Sequence, residues 1–327
     1  MKEQSTMDVV GLGALNIDMV YEVDNLASLE MERGREKTGS HGEFKGLWKL
    51  LKNKGKLRMK SGGGSAANTI YALGRMGFSC GYLGKTGKDE EGAFLQKELK
   101  EAGVDTRKIR QNTRSGICLV LLDKSKDRSI IILPNANDTL SYSELDIDYI
   151  NKAQFLHMSS FVGRIPFEAQ KLVATKSKVK ISFNPGEPHA TKGIKELAPI
   201  LEHSFILFLS QREAEILTNK DYKKGVKKLL GYGMEIIACT LGKKGSYVLS
   251  RDKELEVPAD KSEAIDTTGA GDVYTAGFLA GLLKKLPLFE CARLATRAAA
   301  QSIKGYGRNS YPDKYFLNHD SESVYRI

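Results

Sequence analysis

The segment Asp266-Thr267-Thr268-Gly269-Ala270-Gly271-Asp272 carries the densest chemistry in this sequence. Its glycines and alanine leave the backbone bare just ahead of an apolar helical run, Val273 to Leu283. Amides at a helix N-terminus have no intrahelical partner, and the macrodipole adds positive potential there. Gly269, Ala270 and Gly271 are therefore expected to cradle an anion. Asp272, in the first turn, can bring a carboxylate to the same pocket. An anion cradle beside a carboxylate suits phosphoryl transfer to an alcohol. The cradle stabilises charge on the transferring group, and the carboxylate takes the hydroxyl proton. The same residues also fit a plain helix start in which Asp272 only meets the dipole. The segment alone leaves both readings open.

Other stretches have spacing that invites chemistry. Ser61-Gly62-Gly63-Gly64-Ser65 is a sharp break before a helix that carries Ala67, Ile70 and Tyr71 along one side. Glycines there let the backbone approach a ligand, or simply allow a tight turn. Gly11-x-Gly13 after a first strand hints at a dinucleotide fold, but Asn16 stands where the third glycine belongs. Gly84-Lys85-Thr86 looks like the end of a P-loop, yet Ser79 replaces the first glycine, so that reading is rejected. His41, His157, His189, His203 and His319 show no metal spacing. Cys80, Cys118, Cys239 and Cys291 form no C-x-x-C pair and lie in apolar stretches, where they are expected as buried, reduced residues.

The elements that must hold these residues follow from periodicity. Val9 to Leu15 predicts a first strand, and Met19 to Val23 a second. Phe44, Leu47, Trp48 and Leu51 fall at helical spacing, with basic residues outward and Gly55 at the end. Gly116 to Leu122 and Ser129 to Leu133 predict a hairpin. Beyond it, apolar runs at 155–158, 180–183, 205–209 and 236–239 alternate with helical segments. That alternation predicts a doubly wound α/β fold with a mostly parallel sheet covered on both faces. The early β segments, 19–25, 56–61, 116–123 and 128–134, do not fit the alternation and predict a small separate sheet acting as a lid on a single domain spanning 1–327. Ligands in such folds bind beyond the carboxyl ends of the strands.

DTTGAGDVYTAGF closely resembles the C-terminal signature of the ribokinase-like (PfkB) family of carbohydrate and nucleoside kinases. Gly62-Gly63-Gly64-Ser65-Ala66-Ala67-Asn68 resembles its N-terminal signature, and the two stand in the family's order. The resemblance runs from Val9 to about Gly307. It implies Asp272 as general base and Gly269, Ala270 and Gly271 as the anion hole. It implies acceptor binding by Asn16, Asp18, Gly63, Gly64 and Asn68, with Asp18 holding acceptor hydroxyls. Thr240 and Gly242 would contact ATP phosphates, Gly245 would permit their turn, and Thr296 would pass the adenine. The family's Asn-x-x-Glu, which organises the Mg²⁺ shell, is here Ser210-Gln211-Arg212-Glu213. Glu213 would then act on the metal through water, while the shorter Ser210 puts metal affinity and nucleotide preference in question. ATP and Mg²⁺ are the implied cosubstrate and cofactor. A monovalent cation near Ile265 and the Gly305–Gly307 loop, and a homodimer through the lid sheet, are implied in the same way.

The chain has 327 residues, of which 41% are hydrophobic and 28% charged, which excludes a disordered chain. No apolar run reaches the ~20 residues of a membrane span, and Met1 to Met7 has no signal-peptide character, so the expected location is cytoplasmic. The formal charge of +10 and the Lys45–Lys60 run allow a nucleic-acid-binding protein on a kinase scaffold, although no aromatic-plus-basic stacking motif accompanies them. The leading expectation is a sugar or polyol kinase, with a nucleoside kinase as the alternative. The long segment 30–60 resembles adenosine kinase-like members, whereas Asp127 to Ile130 and Leu133 to Asn137 look more like sugar kinases. Trp48, Phe44 and Phe161 are candidates to hold a base. Arg114 and Arg164 are candidates to meet a phosphate already on the acceptor.

Overall fold

The computed structural model describes residues 6–24, 36–40, 42–123, 128–260 and 262–317. Residue 25 of the expected lid, residues 30–35 of the long early segment, Asp127 and His319 lie outside the described residues. Strands β1 (Met7–Leu12), β2 (Asn16–Glu22) and β3 (Glu36–Thr38) precede helix α1 (Lys45–Lys54) and β4 (Lys56–Gly63). Next come α2 (Ser65–Arg75), β5 (Cys80–Thr86), α3 (Glu90–Glu101), β6 (Val104–Asp105), β7 (Ile109–Gln111), β8 (Gly116–Leu122) and β9 (Arg128–Leu133). The alternating half holds α4 (Ile147–Ile150), β10 (Ala153–Ser159), α5 (Arg164–Lys176), β11 (Lys180–Asn184), α6 (Gly186–Ala190), α7 (Ile194–Leu201) and β12 (Ser204–Ser210). It continues with α8 (Gln211–Thr218), α9 (Tyr222–Leu230), β13 (Ile236–Thr240), β14 (Ser246–Ser250), β15 (Glu254–Val257), α10 (Ala270–Leu283) and α11 (Leu288–Ser302).

The large sheet runs β15-β14-β13-β12-β11-β10-β1-β5-β6, with β7 beside β5. It is parallel from β13 to β6 and antiparallel only at β14 and β15. Its strands bury both faces, which is why they read as continuous apolar runs. Val9 and Val10, neighbours on β1, enter different cores. Val9 joins Ile206, Phe208 and Ala238 under α2, α10 and α11. Val10 joins Leu156, Leu207 and Ile237 under α5, α7 and α9. Helix α10 is apolar all round because it packs against both α2 and α11, with Tyr274 and Phe278 set edge-on against Phe208 of β12. That burial holds its N-terminus, and hence Asp272, in a fixed place.

The small sheet runs β3-β9-β8-β2-β4. Strand β3 was not expected, and β2 starts at Asn16 because β1 ends at Leu12 rather than Leu15. Ile17 and Met19 alternate with Asp18 and are buried with Leu119, Leu121 and Ile131 in one apolar cluster with Leu47 and Leu51 of α1. The face opposite Asp18 is thus covered from within the chain, a constraint on any dimer through this sheet. Cys118 departs from the expectation for the cysteines: it is only partly buried, while the other three are buried. Register places it across from Asp18, on the face the core does not cover.

Two buried histidines give the fold an acid-sensitive point. His157 on β10 sits with Nδ1 2.9 Å from Ser182 Oγ. His189 lies against Phe167 and Phe183, with centroids 4.7 and 6.1 Å away. Burial pushes each down to about 3, so the folded chain refuses a proton that the unfolded chain accepts near 6.5. Their contribution to stability is complete above pH 6.5 and is lost as pH falls toward 3. Melting temperature should fall steadily on acidification below that pH. His189→Phe should flatten the dependence by up to about 1.4 kcal/mol per pH unit. Identical slopes in thermal melts of variant and wild type would remove His189 from this account.

Candidate active site

The chain enters α10 through Gly269, whose φ of 76° is left-handed. A side chain there would also run into the Tyr311 hydroxyl. Ala270 donates its amide to Thr267 O at 3.2 Å, so it does not join an anion cradle in this arrangement. The amides of Gly269, Gly271 and Asp272 have no partner among the described residues. Each is left for an anion, with the helix dipole behind it. The Asp272 carboxylate is held from α2: Ser65 Oγ donates to Oδ1 at 2.5 Å and Asn68 Nδ2 to Oδ2 at 2.8 Å. Thr69 Oγ1 donates to the Asp272 carbonyl at 3.0 Å, locking the two helix starts together. Desolvation pushes Asp272 up to about 6, against the Ser65 and Asn68 hydrogen bonds that stabilise its charge.

Asp18 stands on β2 opposite Ser61 of β4. Gly63 lies against it, and any side chain at 63 would occupy the place of its carboxylate. Desolvation pushes Asp18 up to about 7, while the charge of Arg308 draws it down and that of Asp272 raises it further. Asn16 is turned toward Asn137, whose Nδ2 donates to its Oδ1 at 2.9 Å. Asn137 also bonds both backbone groups of Leu15, at 2.9 and 3.0 Å, and so pins the turn between β1 and β2.

A cavity of about 570 Å³ opens on the other side of the α10 N-terminus. Thr240, Gly242, Gly245 and Gly271 line one part of it, and Thr296, Ala299 and Ile303 a more apolar part. Ser210 and Glu213 do not line it. They cap α8 reciprocally: Ser210 Oγ accepts from Glu213 N at 3.2 Å, and Glu213 Oε2 from Ser210 N at 2.8 Å. Burial raises the Glu213 carboxyl, and its charge in turn raises Asp272. Among the described residues no three His, Cys, Asp or Glu side chains gather as a metal site.

Residue types alone did not single out Ser65, Asn137, Glu98 or Arg308. Arg308 is 4% exposed and stacks on Tyr71 at 4.7 Å. Its only sequence signal is a lone arginine just after Gly305 and Gly307, the end of the resemblance. Arg114 and Arg164 are exposed. Phe161 is 1% exposed in the core, and Trp48 and Phe44 pack against the other core.

The profile of the pfkB family carbohydrate kinases matches residues 51–314. The chain belongs to this family. An uncharacterized sugar kinase of Archaeoglobus fulgidus is 36% identical over 239 residues, covering 72% of this chain and 95% of that one. An adenosine kinase from Sinorhizobium meliloti superposes with a TM-score of 0.81 at 21% identity, over 97% of this chain and 99% of its own. A ribokinase from Arabidopsis thaliana, complexed with ribose and ATP, superposes with a TM-score of 0.79 at 21% identity, over 96% and 98%. At that identity the two structures establish the ribokinase-like fold. As a pfkB-family protein the chain is a kinase, and none of its described helices is long and apolar enough to cross a membrane.

Proposed function

We propose that this pfkB-family kinase transfers the terminal phosphoryl group of ATP to a hydroxyl of a neutral sugar or polyol, with Asp272 as the general base. The observation that carries this reading is the position of Asp272. It lies at a helix N-terminus with unpartnered amides, beside the 570 Å³ cavity, and in electrostatic contact with Asp18. The triphosphate enters from the cavity, its transferring group meeting the amides of Gly271 and its neighbours. The acceptor enters from the Asp18 side, so that its hydroxyl proton passes to Asp272. The small sheet then acts as a lid that excludes water. Mg²⁺ carried by the phosphates would neutralise charge developing on them. Glu213, a lone carboxylate set back from the cavity lining, fits holding it through water rather than directly.

The charge around the acceptor supports a neutral substrate. Asp18 feels the negative charges of Asp272, Glu98 and Asp266 against one guanidinium, that of Arg308, so an added phosphate is opposed. Phe161 is buried in one core, and Trp48 and Phe44 are half-buried against the other, which leaves less of them to meet a base. A nucleoside acceptor stays as the second reading, because Val20, Cys118 and Ile132 share the Asp18 face of the small sheet and are only half buried. The test is ADP release from MgATP with ribose, fructose, 2-keto-3-deoxygluconate, fructose 6-phosphate, adenosine and cytidine. A neutral sugar should give the highest kcat/KM and fructose 6-phosphate none. Turnover confined to nucleosides would overturn the sugar reading in favour of the second.

A further inference from the structure

Among the described residues Arg308 is the one buried guanidinium, and its hydrogen bonds form a chain to Asp272. Nε donates to Asn68 Oδ1 at 3.0 Å, and Asn68 Nδ2 donates to Asp272 Oδ2 at 2.8 Å. Nη1 donates to Glu98 Oε2 at 3.1 Å, and the same oxygen accepts the Gly62 amide of β4 at 2.8 Å. Nη2 is buried and has no partner among the described residues. A carboxamide has one accepting and one donating end. A guanidinium can only donate and an ionised carboxylate can only accept, so both neighbours demand the same orientation of the Asn68 amide.

We propose that Arg308 is a positioning residue for the base: it fixes the Asn68 amide so that its nitrogen faces Asp272, and through Glu98 it ties that arrangement to the root of the small sheet at Gly62. This inference rests on the general-base reading of Asp272. Without Arg308, no other group among the described residues holds Asn68 Oδ1, and the amide can turn its oxygen toward the carboxylate, which would repel it. The buried positive charge acts in the same direction. Asp18, Glu98, Asp266 and Glu213 crowd the site with negative charge, and Tyr82 and Tyr311 stand by without offsetting it. Arg308 is the cation among these groups, and its charge draws both aspartates down against the burial that raises them. The bond shared by Glu98 and Gly62 also means that movement of β4 is felt at Asn68. Closing the small sheet over an acceptor and orienting the base are then one event.

The test compares Arg308→Met and Arg308→Lys with wild type, in a double-mutant cycle with Asn68→Leu. Arg308→Met should lower kcat by about 10- to 100-fold with little change in KM for ATP, and should move the acid limb of the pH–rate profile upward. Arg308→Lys should return the limb toward wild type, because charge is restored, while kcat recovers only in part, because the fork is not. In an Asn68→Leu background, Arg308→Met should add little further loss in kcat, since both act through one amide. Arg308→Met with a lowered melting temperature but unchanged kcat, KM and pH profile would reduce Arg308 to a structural role. Asp272→Asn, run in parallel, separates the two ideas. If it stays active, the base assignment fails; if it is inactive while Arg308→Met is kinetically silent, only the present inference fails.

Discussion

If Asp272 is the general base, as proposed, Asp272→Asn should lower kcat by about 10²- to 10⁴-fold and leave ATP affinity near wild type. The amide cannot take the acceptor proton, whereas the helix start and its unpartnered backbone amides are unchanged. The substitution is nearly isosteric, but Ser65 and Asn68 both donate to this side chain, so the new NH₂ group meets a donor on one side. Some local disorder of the acceptor end therefore accompanies the loss of basicity. The pH dependence distinguishes the causes. Asp272 and Asp18 are raised to about 6 and about 7, so wild-type turnover should fall as pH drops through this range, when the base becomes protonated. The two carboxylates interact, so the apparent values belong to the pair, under the influence of Arg308, Glu98, Asp266 and Glu213. The residual activity of the variant should lose the limb that belongs to position 272. Rapid-mixing or coupled ADP-release kinetics across pH 5–8 measure both effects. A variant with near wild-type kcat would show that another group accepts the proton.

Gly271→Val should reduce kcat by about 10²- to 10³-fold with no loss of melting temperature. No heavy atom lies within 4 Å of where a side chain at 271 would begin, so the fold accepts it. Gly271 is helical, and valine costs no more than glycine in a helix. The same open space is the part of the cavity where the transferring phosphate is proposed to sit, so the isopropyl group displaces the anion from the amides. Gly269→Val provides the contrast. Position 269 has a left-handed φ of 76° and abuts Tyr311, so that variant should lose stability as well as turnover. Paired melting curves and kinetics of the two variants separate a pocket effect from a folding effect. Full activity in Gly271→Val would remove the α10 N-terminus from the phosphoryl path.

The sequence by itself determined the local machinery. Glycines at 63, 64, 269 and 271 mark where backbone must turn or stay bare, and such demands are set by φ and by Cβ volume within a few residues. The alternation of apolar runs and helices determined the parallel sheet in the same way, because burial on two faces imposes its own composition. The partners of the carboxylates were decided only by the tertiary structure. Ser65 reaches Asp272 across 207 positions, and Arg308 reaches Asn68 across 240. Nothing local distinguishes a serine or an arginine that will be buried there from one left in solvent. The capping of α8 by Ser210 and Glu213, the diversion of the Ala270 amide to Thr267, and the covering of the small sheet by α1 likewise depend on which atoms meet. The raised state of Asp18 and Asp272 belongs with them, since desolvation and the sum of surrounding charges exist only once distant segments have packed into one low-dielectric site.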